Sequence, residues 1–380
     1  MAVRHRRKVL GSWLLAAVLL AAAMALFRAD RTGSGEPAAV PCPDSALECP
    51  GTTGASGRRT AGPTAGPAAG PSASPAASGT ESTSPPTPGA PSATPSKGAG
   101  EAPPATTACA SPGACGFPDE RSTGPRTALE RHDTGNLSVR TDGTVIRGWD
   151  IRGSLDVYAN DVTVIDSRIT SANWWGINLR PGFSGLRVLH TTITAVPGEG
   201  PDNGGVNYAV SNMGGSSIEV GWCDVSVFGN ALSMGQGDLH DNYVHDIVAF
   251  RNQGGEWQHT DAVISGGGNK GRLTVRHNTL LNSVRVDQGA TAAVGLFADT
   301  GVVSSVVVDG NWLAGGAYTL YGGGPGATGI QVTDNVFSTQ YHPAAGAYGP
   351  VTAWNAGGAG NVWRGNRTSD GRPVVPDPAP

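Results

Sequence analysis

Leu273-Thr274-Val275-Arg276-His277-Asn278-Thr279-Leu280 reads apolar, any, apolar, any, any, Asn, any, apolar, and this spacing returns along the last two thirds of the chain. It recurs at Val162, Val164, Ser167 and Ile169, at Leu186, Val188, Thr191 and Ile193, and at Ile218, Val220, Cys223 and Val225. Two further copies are Val306, Val308, Asn311 and Leu313, and Ile330, Val332, Asn335 and Phe337. Gly237, Leu239, Asn242 and Val244 fit with the first apolar position reduced to glycine, and Ile146 to Ile151 is a degenerate first copy. Alternation of period two on each side of a two-residue break means two short strands meeting at a bend, with a small polar residue just past the corner. A frame recurring every 20 to 35 residues or so marks a solenoid.

Ahead of each copy stands a small residue followed by a large apolar one: Gly176-Ile177, Ala209-Val210, Ala231-Leu232, Ala262-Val263, Gly295-Leu296 and Thr319-Leu320. Each coil therefore carries a first strand with this pair, a second strand before the bend and a third strand after it. The fold class that follows is all-β, a right-handed parallel β-helix of about eight three-strand coils. Coils in register stack Asn242, Asn278, Asn311 and Asn335 into an internal ladder, with Ser167, Thr191 and Cys223 as smaller occupants of the column.

The 380-residue chain has a formal charge of -4 and only three lysines, Lys8, Lys97 and Lys270, so its charge balance asks for no nucleic acid partner. Residues 1–30 read as a signal peptide or N-terminal membrane anchor: Arg4-His5-Arg6-Arg7-Lys8 precedes an apolar run from Val9 to Phe27. If uncleaved, that segment attaches the protein to a membrane; otherwise the protein is secreted, and either way the expected location is extracellular, at the cell surface. Residues 31–125, rich in Pro, Ala, Gly, Ser and Thr, form a disordered linker reaching about 55 Å on average. Cys42 with Cys49, and Cys109 with Cys115, can close small loops in an oxidising compartment, whereas Cys223 in the ladder column reads as an inert buried thiol. The β-helix occupies residues 126–380, as a monomer.

Function on a solenoid is sought where loops interrupt the repeat. Long connections run from Ala195 to Asn207, His245 to Thr260 and Asn282 to Ala292, all at the corner between third and first strands. Between them Tyr208 to Asn212, Asn230 to Met234 and Asp261 to Ser265 would floor a groove. The densest constellation, Glu256-Trp257-Gln258-His259-Thr260-Asp261-Ala262-Val263, brings an imidazole, a carboxylate and an indole to one strand head. His259 and Asp261, two apart on an extended segment, can act as base and acid or as metal ligands. The blander reading has Asp261 capping the loop end while His259 supports it. In a regular strand Asp261 would face inward with Val263 unless a bulge turns it out. His190, His240 and His277 fall at the bend, where surface residues are expected, and His245 with Asp246 opens the middle loop.

Across residues 140–370 the repeat resembles the right-handed parallel β-helix proteins of the pectate lyase-like superfamily, whose substrates are acidic or neutral polysaccharides. Thr260-Asp261-Ala262 resembles the strand head of the polygalacturonase family, which implies a catalytic role for Asp261. The resemblance ends there, because the next coil reads Thr291-Ala292-Ala293-Val294 where that family carries an Asp-Asp pair. Lyases of the superfamily eliminate across a uronate, using a metal or cationic side chain on its carboxylate. That implies roles for Lys270 and Arg285 in catalysis, for Arg251 and Arg180 in holding the carboxylate, and for Ca²⁺ on Asp261, Glu256 or Asp287. Phe297, Tyr321 and Trp354 follow inward apolar residues of three successive first strands, and with Trp174, Trp175, Trp257 and Tyr208 offer surfaces for sugar rings. Cleavage of a uronate-containing polysaccharide, with elimination slightly ahead of hydrolysis, is the leading expectation. A non-catalytic glycan-binding or adhesive surface protein is the alternative.

Overall fold

The computed structural model describes residues 110–213 and 215–376. The N-terminal apolar run, Cys42, Cys49, Cys109 and most of the spacer lie outside the described residues. No described helix is long and apolar enough to cross a membrane.

Three sheets run the length of the domain. The first-strand sheet has nine strands, from Leu137–Val139 to Gly349–Thr352, and the second-strand sheet nine, from Val145–Arg147 to Val362–Arg364. The third-strand sheet has ten, from Glu130–His132 to Arg367–Thr368. Each strand pairs in parallel with its counterpart one coil on, giving a right-handed parallel β-helix. There are more coils than the repeat frame reveals. The last one, Asn361, Trp363, Asn366 and Thr368, escapes the frame because its first apolar position is an asparagine.

The apolar positions do what their period requires. Val164, Val188, Val220, Leu239, Val275, Val308 and Val332 stand in register along the second-strand sheet, all fully buried. Ile169, Ile193, Val225, Val244, Leu280, Leu313 and Phe337 do the same along the third. Burying each such side chain stabilises the fold by about 1.5 to 3 kcal/mol.

The asparagine ladder runs through the bend. Asn242 Nδ2 donates to Asn278 Oδ1 at 2.9 Å, Asn278 Nδ2 to Asn311 Oδ1 at 3.0 Å, and Asn311 Nδ2 to Asn335 Oδ1 at 2.9 Å. Asn366 continues it, accepting from Asn335 Nδ2 at 2.9 Å. Ser167, Thr191 and Cys223 hold the column's earlier positions and turn their side chains onto nearby carbonyls instead. The corner itself is left-handed: the residue before each ladder position has positive φ, 44° to 55° at Asp166, His190, Trp222, Asp241, His277 and Asp334, and 58° and 68° at Gly310 and Gly365. Asp and His tolerate that region better than most side chains, which explains their recurrence at the corner.

Residues 110–125, which composition places at the end of the linker, lie against the solenoid. Thr279 Oγ1 donates to the Pro118 carbonyl at 2.7 Å, and the Gly124 amide donates to Trp222 O at 2.9 Å. Phe117 packs on Trp312 and on the His277 ring, and Cys115 is disulfide-bonded. Few apolar residues advertise this strap, but Phe117 covers a second small core of Leu281, Trp312, Ala314 and Val336. His240 also departs from expectation: rather than a surface residue it is 2% exposed, enclosed by Trp222, Glu219 and Asp241.

Candidate functional site

The small residue before each inward apolar one has a geometric cause. First-strand pairing skips it: Tyr208 pairs with Trp175 and Val210 with Ile177, but Ala209 and Gly176 leave a gap, and the same gap falls at Ala231 and Ala262. A Cβ on Gly176 would lie 2.7 Å from Ile193 Cγ2, inside the core. The small residue and the apolar one after it thus both face inward, and the alternation breaks at the strand head. The residue just before the pair is turned to the outer face.

Asp261 occupies that position. Gly295 lies between the core residues Val294 and Leu296 and so faces out. A Cβ built there would stand 2.9 Å from Asp261 Oδ1 and 2.3 Å from Phe297 Cε2. The carboxylate therefore rests on the outer face of the sheet, over a floor left bare by glycine and under the Phe297 ring. The regular-strand expectation of an inward Asp261 is corrected by the kink at Ala262 and by the register shift between Thr260 and Asp261.

The strand head is held from both sides. Asn230, the partner of Asp261 one coil back, donates Nδ2 to Asn207 Oδ1 at 2.7 Å and to His259 O at 3.0 Å, fastening the ends of two long loops. Asn282 donates to Thr260 O at 2.7 Å and to Ala292 O at 3.0 Å, tying this strand to the next. The loops also grip each other. Asn203 Nδ2 donates to Arg251 O and Asn252 O, and Phe250 wedges beneath Gly205 and Gly229, whose missing side chains leave it room.

Asp261 is fully buried, and neither its carboxylate oxygens nor Asn230 Oδ1 is met by a side-chain donor, the Ala292 backbone amide being the one donor that acts on the Asp261 carboxyl. Burial pushes the Asp261 carboxyl well above the usual carboxylate range; the Ala292 amide acts against this and the charge of Asp299 adds to it. The result is a carboxylic acid that keeps its proton where ordinary aspartates have lost theirs. The Tyr321 phenol is raised in turn, by burial and then by Asp261 and its tyrosine neighbours. Asp299, exposed in the loop after Phe297, carries no motif in the sequence and emerges only through this electrostatic link.

The remaining predicted residues are scattered. His259 is exposed, unlike Asp261 two residues on. Arg285 closes on Asp287 at 2.7 Å, and Arg251 stacks over Trp257 at 4.4 Å and donates to Gly255 O. Arg180 pairs with Asp156 at 2.9 Å and lies over Trp175, while Tyr208 is half-buried and Lys270 is exposed in the turn beyond the strand. His245 is held between Asp224 and Asp246, each at 2.8 Å, on the third-strand sheet, away from the groove. Glu256 sits exposed on its loop and Asp287 is taken by Arg285, so the three carboxylates considered for Ca²⁺ do not gather the several oxygens that ion requires. Among the described residues no three His, Cys, Asp or Glu side chains group to hold a metal.

The aromatic column is corrected too. Val294, not Leu296, pairs with Val263 and Leu320, so Gly295 is the neighbour of Tyr321 and Phe297 lies two residues further along. Phe297 reaches Tyr321, centroids 5.1 Å apart, by folding back over Gly295. Thr352 holds the next place in that column, and Trp354 is buried against Trp363. In its stead the loop 339–348 brings Tyr348 to Tyr318, which in turn meets Tyr321 at 5.8 Å. Two surface depressions lie elsewhere, one of about 560 Å³ between Arg152 and Glu199 and another along the second-strand sheet.

The chain matches no protein-family model, no curated protein and no solved structure.

Proposed function

We propose that this chain is an exported glycan-cleaving protein of the pectate lyase-like kind that hydrolyses glycosidic bonds at the head of the Thr260–Ser265 strand, with Asp261 as general acid. The observation that carries this reading is the Asp261 carboxyl itself, fully buried on the outer face without a side-chain partner, its pKa raised by that burial. Natural folds rarely leave a buried carboxyl so short of donors, and such groups concentrate where proton transfer is needed. A carboxylic acid that retains its proton suits donation to a leaving glycosidic oxygen, and Asp299, exposed and in its field, suits activation of water. Elimination receives less support, because it needs a cation on the substrate carboxylate, Arg285, Arg251 and Arg180 are engaged with their own neighbours, and Lys270 lies in the turn beyond the far end of the Thr260–Ser265 strand. The aromatic surface around Tyr321 is compatible with an adhesive protein as well, but such a protein has no use for a buried acid without a side-chain partner.

The test is the chemistry of the products. Wild-type protein incubated with a polysaccharide panel is expected to release reducing ends without the ultraviolet absorbance of an unsaturated uronate. Products carrying that absorbance would replace hydrolysis with elimination, and binding without any cleavage would replace both with adhesion.

A further inference from the structure

We propose that Phe297, Tyr318, Tyr321 and Tyr348 form a subsite beside Asp261 for an uncharged pyranose ring. The proposal rests on the reading that this groove takes a glycan, and it departs from the uronate expected from sequence. The four rings come from two successive coils and a loop yet form one contiguous group: Phe297 to Tyr321 at 5.1 Å, Tyr321 to Tyr318 at 5.8 Å and Tyr318 to Tyr348 at 5.9 Å. Tyr348 is 66% exposed, keeping much of its ring in water although it touches Tyr318. Tyrosine joins an apolar body to a polar tip, which suits a sugar ring whose faces present C–H groups and whose rim presents hydroxyls. The floor beside them is Gly295, where any side chain would collide with both Phe297 and Asp261. The Phe297 ring occupies that floor and Asp261 is fully buried, so a sugar stacked on the tyrosines reaches the acid only when the Phe297 side chain swings aside.

Charge decides the class of sugar. The titratable groups coupled to Tyr321 are Asp261, Tyr318 and Tyr348, and the one coupled to Asp261 is Asp299; none is basic. The arginines that might neutralise a uronate are taken by Asp287, Asp156 and the Trp257 ring. A uronate placed here would meet the Asp299 charge and no basic group among those facing Tyr321 and Asp261, which works against binding, whereas a neutral ring needs no counter-charge.

The experiment uses full-length protein with Asp261→Asn to prevent turnover, titrated calorimetrically with neutral hexasaccharides of glucose, xylose and galactose and with hexagalacturonate. At least one neutral hexasaccharide should bind, with hexagalacturonate about ten-fold weaker or worse. Adding Tyr348→Ala should weaken neutral binding about ten-fold. Tyr341→Ala, a tyrosine packed over Gly315 outside the cluster, should leave it unchanged. Hexagalacturonate binding as tightly as any neutral sugar, neutral binding indifferent to Tyr348→Ala, or no neutral binding at all would each overturn the subsite. Neutral binding that depends on Tyr348, combined with a wild-type protein that cleaves none of these sugars, would uphold the subsite and remove the hydrolase reading instead.

Discussion

Replacing Asn278 by leucine removes the central rung of the ladder with little change of volume, so the effect isolates hydrogen bonding from cavity formation. Asn278 Oδ1 accepts from the Asn242 backbone amide and from Asn242 Nδ2, both at 2.9 Å. Both donors are buried, and Asn242 Nδ2 keeps only its bond to Val220 O at 2.9 Å. The unpartnered Asn242 amide and the unpaired second hydrogen of its Nδ2 cost about 1 to 3 kcal/mol each, and the added apolar burial of leucine returns part of that, leaving a net loss of about 2 to 4 kcal/mol. Thr191→Ala, in the same column, is the comparison: its hydroxyl makes one bond, to Leu189 O at 2.8 Å, and passes nothing to the next coil, so about 1 kcal/mol is expected. Denaturant unfolding followed by tryptophan fluorescence gives both values, and hydrogen exchange should show the Asn242 amide losing protection. Equal losses in the two variants, or an unchanged Asn242 amide, would refute the assignment of the ladder as the bond that couples coil to coil.

Three other outcomes follow from the same contacts. Asp261→Asn should stabilise the protein at neutral pH: the native acid has its pKa raised above that of the unfolded chain, so the native state binds more protons and wild-type stability falls as pH rises from about 4 toward the raised value. Melting curves across pH should show the variant's advantage growing over that window, and an advantage only under acid conditions would contradict it. Phe117→Ala should uncover the Trp312 cluster, costing about 1 to 2 kcal/mol locally and opening residues 119–125 to limited proteolysis. Cys223, buried with its thiol pushed up to about 12 by that burial, should resist alkylation in the native protein and react on unfolding; labelling at native stability would show the column misread.

The coil architecture was legible because inward residues at period two and a small residue at the same corner position, asparagine in the later coils, leave a spacing that few other folds produce. The first strands were less legible. The strand Ala290–Leu296 contains two small-apolar pairs in succession, Ala293-Val294 and Gly295-Leu296, and only its pairing partners choose between them. Taking the second pair shifted Phe297 by two residues and produced an aromatic column that does not exist. Trp354 was hidden for a related reason, since its burial against Trp363 depends on a last coil whose frame begins with Asn361. Asp261 was found by its loop setting and its resemblance, but its outward orientation depends on the kink at Ala262, where strict alternation gives the opposite answer. The strap 110–125 has the composition of the linker and is recruited by tertiary contacts at Pro118 and Gly124 that no local pattern announces. Asp299 and Tyr348 come from loops and join the site only in three dimensions.

Acid catalysis on a glycan by the buried Asp261 carboxyl is the central proposal. It is tested most directly by comparing reducing-end release by wild-type and Asp261→Asn protein on whichever polysaccharide the wild type cleaves fastest, with melting curves measured alongside. A general acid contributes a factor of about 100 to 10,000, so turnover should fall by that amount in a variant that melts at or above the wild-type temperature. Wild-type turnover persisting in the folded Asp261→Asn protein would contradict the claim.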